Sequence, residues 1–309
     1  MGDMKLSNTP YDDVFRTLLN DCSSLIIPVI NEIFWENYSG KEKIIFSPNE
    51  HFLNRQDGDE DERITDTSFK ILGKETKKYQ LECQSSTDNS MLVRFFEYDT
   101  QIALDGGEIT GNVLTVSLPH SAVLFLRYHE STPDKLKIRI ITPGGKVEYD
   151  IQVMKIQRYT IENIFEKKLL FLLPFYIFSH ESRFREYEQD ASKLEKLQRE
   201  YTQIKNRLEE LQIQGIISEY IRCTIIDMSN KVLAHIASKY NTVRKGVKSI
   251  MGGRVLEYEA KTIRNEGIEE GIRGTVSILE KLGIPSQTIS LKIQEQYNLS
   301  PEESKKYIK

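Results

Sequence analysis

Between residues 194 and 211, Leu194, Leu197, Tyr201, Ile204, Leu208 and Leu211 recur at intervals of 3, 4, 3, 4 and 3, with Glu and Lys in the flanking positions. This is the a/d seam of a helix about three heptads long. It predicts a coiled-coil segment over 190–214, formed either as a helical hairpin within the chain or by pairing with a second copy. A seam this short needs help from other contacts. Everything after about residue 159 keeps a helical period, punctuated by Gly252-Gly253. A Glu-Gly-Ile repeat (EGIEEGIRG) runs from 266 to 274, and two small helices are expected over 275–309, joined at Gly283-Ile284-Pro285.

The first half follows other periods. Thr9-Pro10 reads as an N-cap with proline at the first helical position, and Val14, Leu18, Leu25, Ile26 and Ile30 continue a helix over roughly 10–34, with a possible break at Pro28. Lys43–Phe46 is a short strand signal, and the acidic stretch 49–62 reads as a loop. RITDTSFKIL (63–72) and YQLECQ (79–84) alternate as strands and can form a hairpin. Met91, Phe95, Tyr98 and Ile102 form one stripe of a helix over 91–104. Two β-rich runs follow within 112–128, split by Pro119-His120, and the strands 136–141 and 147–153 flank the turn Pro143-Gly144-Gly145. The expected fold class is therefore α+β, with a domain over 1–180 and an all-helical, partly coiled-coil region over 181–309.

Bulk properties narrow the partners. The net charge of −4 over 309 residues makes any nucleic-acid contact a matter of a local basic face. Residues 120–170 offer a mild excess of that kind, nine Lys and Arg against six Asp and Glu, which a solvated sheet face explains equally well. Three scattered cysteines, Cys22, Cys83 and Cys223, fit reduced thiols better than a disulfide framework or a zinc site. The longest apolar run, LLFLLPFYIF at 169–178, contains Pro174 and falls well short of the roughly 20 residues a bilayer span needs. A buried helix, no membrane association and a cytoplasmic location are the expectations.

The chemistry-bearing candidates lie on the predicted hairpin. In YQLECQ, Glu82 and Gln84 share one strand face and Leu81 and Cys83 the other. If RITDTSFKIL pairs with that strand, Asp66 approaches Glu82, and two converging carboxylates make a hard-oxygen site for Mg²⁺ or Mn²⁺. The competing reading is a solvated strand face, with Glu82 paired to Lys70 or Lys78. Asp12 falls in the first turn of the first helix, where helix capping and the helix dipole explain it more readily than catalysis does. Arg94 and Tyr98 are an i, i+4 pair, with Arg94 holding either a phosphate or carboxylate at the site or a surface acid such as Glu97. His120 and His129 read as ordinary polar residues at strand ends.

A wider pattern joins these residues: Asp12-Asp13-Val14-Phe15-Arg16, then Arg63-Ile64-Thr65-Asp66, then Glu82-Cys83-Gln84-Ser85, then Met91, Arg94 and Tyr98, then Leu118-Pro119-His120-Ser121. In order and spacing it resembles the Rpn (recombination-promoting nuclease) family, the PD-(D/E)xK nuclease family transposases, over roughly residues 10–180, with the Glu-Gly-Ile repeats as a further likeness. The resemblance implies a restriction-endonuclease-like αβββαβ core and Mg²⁺-dependent cleavage of DNA. It makes Asp66 and Glu82 metal ligands and Asp12 the first acidic position. Gln84 stands where the wider superfamily has a lysine, and a neutral amide lacks the ammonium charge. Lys70, at even spacing from Asp66, is a candidate for a displaced lysine. The alternatives are a catalytically weak or inactive nuclease-fold protein that binds DNA and self-associates through its helical half, and a nuclease acting on RNA, for which no ribonucleoprotein signature is evident.

Overall fold

The computed structural model describes residues 10–46, 50–54, 60–64, 68–85, 90–252, 255–297, 299 and 304–308, with side chains left out at 50–54, 60–64, 255–267 and 295. The opening helical stretch is two helices, α1 (Pro10–Asp21) and α2 (Ile26–Phe34), joined by a short 3₁₀ turn at Ser23–Leu25. The break therefore lies in Asp21-Cys22-Ser23-Ser24 and not at Pro28. Asp and Ser compete for backbone hydrogen bonds, whereas Pro28 sits in the first turn of α2, where a missing N–H costs little.

Ten strands and eight further helices follow among the described residues. They are β1 (Lys43–Phe46), β2 (Glu50–Asn54), β3 (Glu60–Ile64), β4 (Ser68–Leu72), β5 (Thr76–Gln84), α3 (Met91–Leu104), β6 (Glu108–Thr110), β7 (Val113–Thr115), β8 (His120–Phe125), β9 (Lys135–Thr142), β10 (Gly145–Lys155), α4 (Ile161–Glu166), α5 (Phe184–Gln189), α6 (Ala191–Ile213), α7 (Glu219–Ile236), α8 (Asn241–Met251), α9 (Val255–Lys281) and α10 (Ser286–Tyr297). Two expectations need correcting. The acidic stretch 49–62 contributes β2 and most of β3, an antiparallel pair of its own with Glu50 opposite Ile64. The expected single strand 63–72 is divided between that pair and β4, which belongs to the main sheet. Acidic composition marked this stretch as polar, but main-chain pairing does not depend on it.

The main sheet is mixed, in the order β1-β4-β5-β8-β10-β9. β8 runs parallel to both β5 and β10, and the other neighbours are antiparallel. Because side chains alternate, the sheet has two interior faces. Phe69, Ile71, Tyr79, Leu81, Cys83, Ala122, Leu124 and Met154 join the large core that includes α1, α2 and the helices between residues 161 and 251. Val123, Phe125, Ile138 and Ile151 pack with Met91 and Phe95 of α3 in a second core. Each fully buried large side chain contributes about 1.5–3 kcal/mol. The β9–β10 hairpin turns at Pro143-Gly144, and Gly145 takes a φ of 146°.

The run LLFLLPFYIF is buried as expected, but within a 3₁₀ segment (Leu170–Arg183) that absorbs Pro174. No helix of the described residues is long and apolar enough to cross a membrane. The heptad positions fall on one helix, α6, and they pack within the chain, one of the two arrangements that the spacing allowed; Leu211 at the end of the series is only partly buried. Leu194, Leu197, Tyr201, Ile204 and Leu208 are all buried in the large core, and α6 packs against α5, α7 and α8. α6 and α8 approach closely: a Cβ added to Gly246 would lie 3.0 Å from Gln198 Nε2, and that amide donates to the Gly246 carbonyl at 3.2 Å. The Glu-Gly-Ile repeat lies within α9.

Candidate active site

Under α3, the sheet face is polar where apolar residues would be expected. The side chains of Lys78, Gln80, Glu82 and Gln84 alternate onto that face of β5, with Ser68 and Ser121 flanking Gln80 in register. Ser68, Gln80 and Ser121 are each at most 2% exposed, and Glu82 is 9% exposed. Among the described residues Ser68 Oγ and Gln80 Oε1 have no hydrogen-bond partner, an arrangement most buried polar atoms avoid.

Glu82 is held by two neighbours. Gln84 Nε2 donates to Glu82 Oε2 at 3.1 Å. Arg94 Nη2 stands 3.9 Å from the same oxygen, while Arg94 Nη1 donates to Ser90 Oγ at 2.9 Å at the start of α3. Burial pushes the Glu82 carboxyl up to about 7; Arg94 and Gln84 act against this, and the negative charges of Asp99 and Asp12 reinforce it.

Asp99 was not among the expected site residues. It is fully buried and accepts from Ser121 Oγ at 2.5 Å and from Tyr149 Oη at 2.9 Å, one hydroxyl on each carboxylate oxygen. Burial raises it to about 6 despite those two bonds. Its signal was in the sequence: an acid four residues after Phe95 and three before Ile102 falls on the apolar stripe of α3. Tyr149→Phe is expected to cost about 1–3 kcal/mol, because it strips one donor from a buried carboxylate. Urea unfolding at pH 8 measures this, and a loss within error of zero would show that the bond carries no weight.

The other expected residues are placed as follows. Asp66 lies outside the described residues. Asp12 is in the first turn of α1, and its charge raises both Glu82 and Cys83, so it acts on the Glu82 end of β5. Arg94 attends Glu82 and not a surface acid alone. Tyr98 is half-buried on α3. Lys70 shares the face of Glu82 but pairs with Lys78, four residues along β5, which is about 13 Å away along the strand. Neither Lys70 nor Lys78 pairs with Glu82; Lys78 Nζ donates to the Ile102 carbonyl at 3.2 Å. His120 packs against Tyr79 and Phe34, a structural role, and burial lowers its pKa.

Among the described residues no group of three or more His, Cys, Asp or Glu could hold a metal ion. The expected basic face over 120–170 is partly neutralised: among the described residues eight of its nine cations have carboxylate partners, but they share five carboxylates, with Arg127 on Glu181 at 2.5 Å and Lys167 on Glu32 at 2.6 Å. Comparison with family models, curated proteins and solved structures finds no match to this chain.

Proposed function

We propose that the chain is a divalent-cation-dependent DNA endonuclease of the PD-(D/E)xK type, linked to recombination or mobile elements. The observation that carries this reading is Glu82, an acid buried beneath α3 and held between the Gln84 amide and Arg94. The β4–β5 hairpin, the crossing helix α3 and the parallel strand β8 are what a restriction-endonuclease-like core requires, and they support that assignment. In this reading Asp66 supplies the second carboxylate. In sequence it stands two residues before Ser68, whose partner Gln80 stands two before Glu82. Mg²⁺ or Mn²⁺ held by Asp66 and Glu82 would polarise a phosphate and acidify a water. Gln84 fixes the Glu82 carboxylate, Arg94 places positive charge beside it, and Asp12 adds negative charge to the same end of β5.

A second reading is a nuclease-fold protein that binds DNA without cleaving it. It is favoured by Gln84, since the amide supplies no positive charge and the lysines on that face are Lys78, six residues back along β5, and Lys70 opposite it on β4. Plasmid nicking separates the two. The endonuclease reading expects nicking that requires Mg²⁺ or Mn²⁺. Loss of a ligand forfeits several kcal/mol of charge stabilisation, so Asp66→Ala and Glu82→Ala should each lower the rate on the order of 10³-fold or more with unchanged circular dichroism. Metal-independent nicking, or variants as active as the native chain, rules it out.

A further inference from the structure

We propose that Trp35 and the outer face of the β9–β10 hairpin form a track for single-stranded nucleic acid, with a base stacked on the indole and phosphates along β9. The inference deepens the reading above, in that nucleic acid is the ligand, but it needs no cleavage. Trp35 closes α2 with φ 55° and ψ 36°, a left-handed conformation that glycine or asparagine takes easily and a bulky side chain does not. It is also 71% exposed, so burial of the indole does not offset that strain. Strained backbone positions cluster at ligand clamps and active sites, and an open aromatic face there is free to stack.

The chemistry beside it is cationic. Lys135 Nζ lies 5.8 Å from the centre of the Trp35 ring. Lys135, Lys137 and Arg139 then share one face of β9, the last strand of the sheet, two residues apart and so spaced roughly 6.8 Å along it. Lys146 adds a fourth cation across the turn. Among the described residues these four share two carboxylates, Glu148 and Asp150, at 2.6–3.8 Å. The cations are 50–69% exposed, and ion pairs so open to water are weak. Phosphates can therefore replace them, with counterion release. A row of cations leading from an open aromatic face matches a strand whose bases are unstacked; in a duplex the base faces are hidden.

Trp35 is the chain's one tryptophan, so its fluorescence reports this position alone. The titrations use the full chain carrying Glu82→Gln, in chelator, so that nothing is cut. Dodecathymidylate or dodecauridylate is expected to quench the emission saturably, more weakly at higher salt. By anisotropy of a labelled oligonucleotide, Trp35→Gly should bind about tenfold more weakly, and Trp35→Phe should retain most of the affinity. Lys137→Glu combined with Arg139→Glu should also weaken binding about tenfold and flatten the salt dependence. The thermal midpoint of Trp35→Gly should be no lower than native, because glycine suits the left-handed backbone. The proposal is overturned if the oligonucleotides do not quench, if Trp35→Gly binds as the native chain does, or if a blunt duplex or polyglutamate quenches equally well. Quenching in a protein that never nicks DNA would leave the track standing and sink only the catalytic reading.

Discussion

Glu82→Gln is expected to abolish divalent-cation-dependent nicking and, in the same protein, to raise stability at pH 8 when metal is chelated. The two effects share one cause. In the folded chain the Glu82 carboxyl titrates at about 7 against an ordinary value of 4.5, chiefly because burial disfavours its charged form. The folded state therefore binds more protons than the unfolded state between those values. Its contribution to stability is fully present below about pH 4.5 and is lost as pH rises through 7. A shift of this size corresponds to on the order of 3 kcal/mol. Glutamine resembles the neutral carboxyl in shape and does not ionise, so the variant escapes that loss above pH 7. Asp99, raised from 3.8 to about 6, has the same sign and stays in the variant, so the slope of stability against pH should shrink and not vanish. Urea midpoints from pH 4 to 8 for both proteins measure this. An unchanged slope would mean that Glu82 is better solvated than its 9% exposure indicates. A variant that nicks DNA normally would remove Glu82 from the chemistry.

Much of this site could be read from residue order alone. Met91–Leu104 forms the helix its apolar stripe predicts, with the same ends. The alternation of YQLECQ correctly separates Glu82 and Gln84 from Leu81 and Cys83, because a strand has only two faces. Three things escaped. Asp99 sat on the right stripe, but an acid amid apolar residues looks like a solvent-facing position until Ser121 and Tyr149, 22 and 50 residues downstream, are seen to satisfy it. The reach of Lys70 depended on the register between β4 and β5, which parity does not determine: it shares the face of Glu82 and stands opposite Lys78. The apparent basic excess over 120–170 counted charges without their partners, several of which lie far off in sequence, such as Glu32 for Lys167 and Glu181 for Arg127.

The seam on α6 shows the same limit from another side, and it carries the second large expectation. Leu208→Ala should destabilise the chain by about 2–5 kcal/mol, because it removes a fully buried side chain and leaves a cavity. Heptad spacing establishes that these residues need a partner surface, but not whose. Here the surface is supplied within the chain, by the helices packed around α6, with the Gln198 amide bonded to the Gly246 carbonyl as a polar pin. A seam satisfied internally is independent of protein concentration, whereas one satisfied by a second copy is stabilised by mass action. The thermal midpoint of the native chain should therefore stay constant over a hundredfold dilution, and the deficit of Leu208→Ala should be the same at both ends of that range. A midpoint that climbs with concentration, together with a Leu208→Ala deficit that appears only in concentrated samples, would return the seam to the intermolecular pairing that its spacing left open beside packing within the chain.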